Sequence, residues 1–410
     1  MKQILLVLMA LSTAFSAMAQ TPEWQKKLDE VSKLGDQYYE QKNWKKLVEC
    51  VEKEGQIIMA QPDSIRIAYM GSTELSANGY YYNLACYSAL AGNKSKALKS
   101  FEIFTDTAIG KEEIDLNHIR TDSDLNSLRE EPRFKACMEK LSKWGDYKQK
   151  LKDAPQYVRG YVPDGFRFRY ASPNDPDLAR LRKEFNLDSI AGAGDEISKI
   201  KNLLHWVHEV VPHDGGSYNP EIKNTIDMIE LCRKENRGVN CRMMAQMLTE
   251  VYLAMGFKAR FVTCLPRDFV SDCHVITTVY SCTLNKWVWV DPTFDAFVMD
   301  ENDTMLSIAE VRERLRTDKF LKINDYANWN HRSKQTKENY IDRYMAKNLY
   351  YLKCMEWSRF NAETKIEGRT YRYIALMPYE MIGKDASPAV SWHELRVSDD
   401  QWFWQSPYTE

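Results

Sequence analysis

The segment between Gly238 and Gly256 constrains this chain more than any other. Its apolar residues recur at helical spacing, and Gly256 stands where a glycine commonly ends a helix. Because Gly238 interrupts any preceding helix, we predict a single helix from Cys241 to Met255. Cys241 then lies in the first helical turn, where free backbone amides and the helix dipole favour a thiolate.

Three strand patterns follow this helix. They cover Lys258 to Leu265, His274 to Ser281 and Lys286 to Val290. His274 opens the second strand, and Asp291 directly follows the third. In an antiparallel pair the start of one strand lies beside the end of the next, so this imidazole and carboxylate can meet at one sheet edge. The pattern predicts a nucleophile, Cys241, a base, His274, and a carboxylate, Asp291, that orients the base.

These motifs resemble those of the transglutaminase-like branch of the papain-like cysteine enzymes. The residues that carry the likeness are Arg237 to Arg242, Gly256 to Val262, Cys273 to Val275 and Trp287 to Thr293. The resemblance implies that Cys241, His274 and Asp291 form the catalytic triad.

The resemblance also implies a chemistry. A thiolate of this family attacks a carboxamide or peptide carbonyl, and water or another amine resolves the thioester. Likeness to exported bacterial members favours hydrolysis over cross-linking. Three residues of the loop before the catalytic helix are candidates for the side-chain oxyanion donor, namely His213, Tyr218 and Asn219.

The expected fold class is α+β, with a papain-like transglutaminase core preceded by an all-α, helical-repeat-like domain. The expected divisions are a signal peptide at 1–19, a helical domain at 20–145, a linker with a lead-in strand at 146–194, the catalytic core at 195–320 and C-terminal strands extending its sheet at 321–410. About 390 mature residues favour more than one domain.

The helical domain is predicted to be partly tetratricopeptide-like. Leu84, Ala85, Gly92, Ala97 and Phe101 match the small residues, turn and apolar knob of such a repeat. An earlier partial match at Leu34, Gly35 and Tyr38 lies fifty residues upstream, which exceeds the usual repeat of roughly 34. A protein partner could use this domain, but a spacer or packing role is favoured because no cluster of charged or aromatic residues on one face is evident from the sequence.

The first nineteen residues predict export. Lys2 precedes an apolar run, and Ala17 to Ala19 has the small-x-small pattern of a cleavage site, so a mature chain beginning near Gln20 in the periplasm or medium is expected. No later apolar run is long enough to span a membrane. A formal charge of −2 gives no reason to expect nucleic acid as a partner. The expected partner is a protein or peptide substrate.

The nine cysteines leave the pairing open, with free buried thiols as plausible as disulfides. We expect Cys264 and Cys282 to belong to the core. The cluster of His205, His208 and His213 lacks the spacing of a zinc motif. We therefore predict neither a metal nor a cofactor.

Two further alternatives stay open at this stage. A domain of this fold could bind peptide or cell-wall material without turnover. The aromatic segment Trp402 to Trp404 is expected to pack against its own domain, with a carbohydrate platform as the alternative.

Overall fold

The computed structural model describes residues 21–75, 77–110, 114–160, 167–268, 273–384 and 394–408. The predicted signal peptide therefore lies outside the described residues. The chain divides into two compact units, one comprising chiefly residues up to Asp146 and the other most of the chain from Tyr147 onward.

The first unit is helical. Its α-helices are α1 Glu23–Glu40, α2 Trp44–Met59, α3 Asp63–Met70, α4 Tyr82–Leu90, α5 Lys94–Ala108, α6 Leu116–Thr121 and α7 Pro132–Gly145. A π-helix at Ala77–Tyr81 and a 3-10 helix at Ser123–Leu128 complete the unit's described helical elements. Asn43 and Asn93 cap α2 and α5 by accepting hydrogen bonds from Lys46 N and Lys96 N. The helical prediction is confirmed, whereas the tetratricopeptide-like character is not.

The second unit combines helices with short and long strands. Its helices are α8 Tyr147–Lys152, α9 Pro176–Glu184, α10 Leu187–Ala191, α11 Glu196–Val210, α12 Thr225–Glu235, α13 Cys241–Ala254, α14 Ile308–Arg316, α15 Ala346–Asn348, α16 Tyr379–Lys384 and α17 Asp400–Phe403, with a π-helix at Glu338–Met345. Its strands are β1 Arg169–Tyr170, β2 Ala259–Leu265, β3 His274–Ser281, β4 Lys286–Val290, β5 Val298–Met299, β6 Lys322–Ile323, β7 Asn328–Trp329, β8 Ser333–Lys334, β9 Tyr351–Met355, β10 Trp357–Ser358, β11 Tyr373–Leu376 and β12 Glu394–Val397.

One six-stranded sheet organises this unit, in the order β12-β11-β9-β2-β3-β4. The pairs among β11, β9, β2, β3 and β4 are antiparallel, and only the β11-β12 pair is parallel. Strand β3 is buried along its whole length, because helix α13 covers one face and other apolar side chains cover the opposite face. The sheet thereby fixes the ends of β3 and β4 beside each other.

Helix α13 is held against the sheet by polar as well as apolar contacts. From its second turn to its end at Ala254 every side chain is buried. Thr277 of β3 donates a 2.8 Å hydrogen bond to the carbonyl oxygen of Ala245 on this helix. The buried carboxylate of Glu250 accepts hydrogen bonds from Thr225 N at the start of α12 and from Asn361 N, each over 2.8 Å. These bonds fix α13 relative to both neighbours.

The aromatic tail packs onto its own domain around a buried cation. The Arg260 guanidinium, on β2, lies 5.3 Å from the ring of Phe403 and 5.2 Å from that of Trp404. It also donates a 2.9 Å hydrogen bond to the carbonyl oxygen of Phe403, which is fully buried. Cation–π contacts and desolvation explain why these aromatics are internal.

Among the described residues, no helix is both long and apolar enough to cross a membrane.

Candidate active site

Cys241 is the first residue of α13, and its backbone is set by the residue before it. Asn240 has extended backbone angles, and its side chain accepts a 3.2 Å hydrogen bond from Met243 N. This is the geometry of an N-cap, which satisfies one amide of the first helical turn. Cys241 is partly exposed and packs beside Ala245, Phe261 and Val275. Its sulfur therefore lies at the positive end of the helix.

His274 and Asp291 meet at the edge of the sheet. The Nε2 atom of His274 lies 2.6 Å from Oδ2 of Asp291, and both side chains are almost completely buried. His274 begins β3 and Asp291 follows β4, so the antiparallel pairing of these strands brings them together. Because Nε2 is engaged by the carboxylate, Nδ1 is the imidazole nitrogen left for the hydrogen bond with Cys241.

The Asp291 carboxylate has two more donors, which our sequence analysis missed. The buried hydroxyl of Tyr340 donates to Oδ2 over 2.5 Å, and Thr293 N donates to Oδ1 over 2.9 Å. The indole N–H of Trp289 in turn donates to the Tyr340 hydroxyl over 3.1 Å. Charge-assisted hydrogen bonds of this kind fix the carboxylate rigidly behind the imidazole.

The thiol and the imidazole shift each other's ionisation in opposite directions. Burial alone would raise the pKa of Cys241, but hydrogen bonds with His213 and His274 outweigh it and lower that pKa to about 6. Burial would lower the pKa of His274, but the Asp291 charge and the contact with Cys241 raise it to about 10. At pH values between these two pKa values the pair exists as thiolate and imidazolium, which is the reactive form of such a nucleophile.

His213 also reaches Cys241, because its loop runs beside the residues that precede α13. His213 bridges to Val239 in parallel register, and Asp214 N donates to Val239 O over 2.8 Å. Gly238 permits this approach, since a Cβ atom there would overlap the carbonyl oxygen of Pro212. The glycine predicted from sequence to break a helix therefore also provides space for the His213 loop.

A hairpin far along the chain holds His213 in place. The indole N–H of Trp329 donates to His213 Nδ1 over 3.0 Å. Asn330 accepts from His213 N and donates to His213 O, each over 2.8 Å. Neither residue belongs to a recognisable motif, so sequence reasoning gave no signal for them.

The other two oxyanion candidates are placed differently. Tyr218 is 63% exposed, and its hydroxyl donates to Glu235 rather than to the site. Asn219 accepts a 2.6 Å hydrogen bond from the side chain of Asn240, so it supports the N-cap of α13. Of the three candidates, His213 is the one whose interaction with the Cys241 thiol lowers the pKa of that thiol.

Among the described residues, two groups of side chains have metal-like spacing. His208, Glu209 and His331 place one ligand atom each within 4.8 Å of one another, as do Cys86, Asp122 and Asp124 in the first unit. In the first group, His331 Nε2 lies 2.8 Å from a carboxylate oxygen of Glu209, and His208 Nδ1 lies 3.0 Å from the carbonyl oxygen of Pro292. His213 is not part of either group.

None of the nine cysteines, all of which lie within the described residues, forms a disulfide. Cys264 is buried, as expected, and burial raises its pKa well above the usual value. The expectation that Cys282 belongs to the core is wrong, because it is exposed in the turn that follows β3. It therefore provides an accessible thiol for comparison with Cys241.

Comparison with known proteins identifies the region that contains these residues. The model of the transglutaminase-like superfamily matches residues 183–292. This segment is a transglutaminase-like domain, and the predicted α+β fold with a papain-like transglutaminase core is confirmed.

One solved structure is similar over a limited region. It is that of a "Putative Cysteine Protease" from Cytophaga hutchinsonii, with 22% identity, 35% of this chain and 47% of that chain covered, and a TM-score of 0.23. The chain thus spans less than half of that protein, and a similarity of this size supports no further argument. No curated protein matches the chain.

Proposed function

Because residues 183–292 form a transglutaminase-like domain, we propose that this protein is a cysteine acyl-transfer enzyme that hydrolyses peptide or carboxamide bonds. The observation that carries the proposal is the placement of Cys241 beside His274, whose ring bonds Asp291 over 2.6 Å; the thiol pKa falls to about 6 and the imidazole pKa rises to about 10. A merely structural thiol at a buried position would have a raised pKa instead.

In the proposed reaction the Cys241 thiolate forms a bond to the substrate carbonyl carbon, and the carbonyl π electrons move onto oxygen. The backbone N–H at the start of α13 and the His213 ring stabilise that oxyanion. As the tetrahedral intermediate collapses, the C–N bond breaks and His274 gives its proton to the departing amine. A thioester on Cys241 remains.

Hydrolysis completes the cycle. Water attacks the thioester carbonyl while His274 takes a proton from it, and the acid product leaves as the Cys241 thiolate and the imidazolium are restored. Asp291 holds the imidazole in position throughout. A primary amine could take the place of water, in which case the product would be a cross-linked amide.

An amidase and peptidase assay tests this function. Dimethylated casein would be incubated with the protein, with and without a primary amine, and ammonia, new amino termini and amine incorporation would be measured. We expect ammonia or new termini without added amine, and a mass increase on Cys241 corresponding to an acyl group. The variant Cys241→Ala should abolish turnover, whereas Cys282→Ala, which removes an exposed thiol, should retain it.

If no substrate is turned over and no acyl adduct forms on Cys241, the domain is instead a binding module. We further propose that the chain is exported after cleavage near Ala19. N-terminal sequencing of the mature protein should begin at Gln20, and an unprocessed Met1 in the extracytoplasmic fraction would contradict this.

A further inference from the structure

The His213 ring has one nitrogen occupied by a group that can only donate. An indole N–H has no lone pair available in the ring plane, so the nitrogen 3.0 Å from Trp329 Nε1 must be an acceptor. That nitrogen is Nδ1 of His213. The ring is therefore neutral, with its single hydrogen on Nε2, and Nε2 is the nitrogen available to the Cys241 sulfur.

We propose that Trp329 is a positioning residue that fixes His213 in the Nε2–H tautomer, so that His213 donates to the Cys241 thiolate and then to the substrate oxyanion. This inference rests on the proposed acyl-transfer function. A free imidazole exchanges its hydrogen between two nitrogens, and in the other tautomer Nε2 would direct a lone pair at an anion. The Trp329 contact removes that unfavourable state before substrate arrives.

The backbone contacts support the same role. Asn330 bonds both the N–H and the carbonyl of His213, so the hairpin β7-β8 fixes the main chain and the ring together. Asn330 itself has a left-handed backbone with φ of 50°, which belongs to the tight turn of that hairpin. Donors that are already oriented need no reorganisation as charge develops on the oxyanion.

A double-mutant cycle separates this role from a general structural one. The variants are Trp329→Phe, His213→Gln and the two together. A glutamine side-chain amide always carries donor hydrogens and has no tautomer to be fixed. Its ability to donate therefore does not depend on a hydrogen bond from Trp329. We expect Trp329→Phe to lower kcat roughly tenfold with little change in KM, and to cost less than about twofold when His213→Gln is already present.

Trp206→Phe is the matched control, because Trp206 is a partly buried tryptophan of α11 that packs on Phe185 instead of His213. It should leave kcat within about twofold. Equal costs of Trp329→Phe with and without His213→Gln would overturn the inference. Failure of the acyl-transfer function itself would show differently, as turnover that survives Cys241→Ala.

A second observation independently concerns substrate charge. A cavity of about 660 Å³ is lined by His213 and Trp329 and also by Arg233, Arg237 and Arg332, with Asp214 as its carboxylate. Within the described part of the chain, Arg233 and Arg332 form no ion pair. Arg237 Nε lies 3.2 Å from Glu235, and its Nη2 atom has no hydrogen-bond partner. The cavity therefore has an excess of positive charge in a chain whose net charge is −2.

We propose that this cavity binds an anionic group of the substrate, a carboxylate or a phosphate, next to the reacting carbonyl. Guanidinium groups recognise both through paired N–H donors. Because the cavity shares His213 with the thiol site, a bound substrate would be held across both. This proposal also rests on the acyl-transfer function, and it names the class of substrate.

Binding can be measured without turnover, which separates this test from the test of function. Fluorescent heptapeptides with a central glutamine would carry glutamate, phosphoserine or glutamine at each flanking position, and anisotropy would be recorded with Cys241→Ala. At least one acidic peptide should bind roughly tenfold more tightly than its glutamine analogue. Glutamate and phosphoserine at that position distinguish the two anions.

The double variant Arg233→Gln with Arg332→Gln should remove this preference, and 0.5 M salt should weaken it. Arg180→Gln, an exposed arginine of α9 that does not line the cavity, is the control. Equal affinity for acidic and neutral peptides at every position, or a preference that persists in the double variant, would refute the proposal.

Discussion

Tyr340 and Asp291 share a buried hydrogen bond in which the phenol hydroxyl donates to Oδ2 over 2.5 Å. The same oxygen lies 2.6 Å from His274 Nε2, so one carboxylate oxygen serves both groups. Burial, together with the Asp291 charge behind the imidazole, raises the Tyr340 pKa well above its usual value, and the phenol stays a donor. Tyr340 thus belongs to the support of the site although it touches neither the thiol nor the carbonyl.

Tyr340→Phe should weaken both catalysis and the fold. The change removes one donor to Asp291 and leaves the indole N–H of Trp289 without its acceptor. We expect a loss of about 1 to 3 kcal/mol in the free energy of unfolding and a roughly tenfold fall in kcat. Urea unfolding and steady-state kinetics would measure both. Tyr280→Phe, which removes a hydroxyl bonded to Asn285, should leave kcat unchanged.

Gly238→Ala should displace the His213 loop. A methyl group at this position has no space beside Pro212, so the loop must move and His213 must withdraw from Cys241. Without that donor we expect the thiol pKa to rise from about 6 and kcat to fall at least roughly tenfold. Alkylation of Cys241 as a function of pH would detect the shift. In contrast, Gly35→Ala in the first unit meets ordinary contacts and should have no effect, and an unshifted thiol in Gly238→Ala would contradict this account.

Glu250 makes stability depend on pH. Burial raises its pKa to about 7, against hydrogen bonds from Thr225 and Asn361 that lower it. The folded state therefore binds a proton that the unfolded state releases near pH 4.5, and stability falls as the pH rises from about 4.5 to about 7. The full loss in the free energy of unfolding, at most about 3 kcal/mol, is reached above pH 7.

Glu250→Gln removes this titration while nearly preserving shape. Urea unfolding at pH 5, 6, 7 and 8 should show a smaller decline for the variant than for the wild type, whatever their absolute difference. Replacement of Glu235, which is exposed, is the control. It should leave the decline in the free energy of unfolding with pH as it is in the wild type. Parallel curves for the wild type and Glu250→Gln would mean that this carboxyl does not titrate in the range.

Local signals predicted the elements of the core closely. The predicted helix from Cys241 to Met255 differs from α13 only at its last residue, and the predicted strands match β3 and β4. Each of these signals, whether helical periodicity, a glycine at a helix end or alternating apolar residues, spans only a few neighbouring positions. Such local patterns can be recognised in a single sequence. Antiparallel pairing of adjacent strands then brings His274 and Asp291 together without further information.

The support of the site could not be predicted in the same way. Trp329 and His213 are 116 positions apart, and Tyr340 and Asp291 are 49 positions apart. Contacts between residues so far apart in sequence depend on how the hairpin β7-β8 and the π-helix at Glu338–Met345 fold back onto the sheet. Neither segment has a regular pattern, and short irregular elements are the least predictable from propensity. The exposure of Cys282 was missed because cysteine is among the residue types most often buried, whereas this one directly follows the last residue of β3 and lies in the turn.

The central claim is that Cys241 is a thiolate activated by His274, and alkylation by iodoacetamide from pH 4 to 9 with peptide mapping tests it most directly. We predict that Cys241 labels half-maximally near pH 6, ahead of the exposed Cys282, and that His274→Ala moves this midpoint to higher pH by removing the imidazolium. Labelling of Cys241 that rises only above pH 8, or a midpoint unchanged in His274→Ala, would contradict the account.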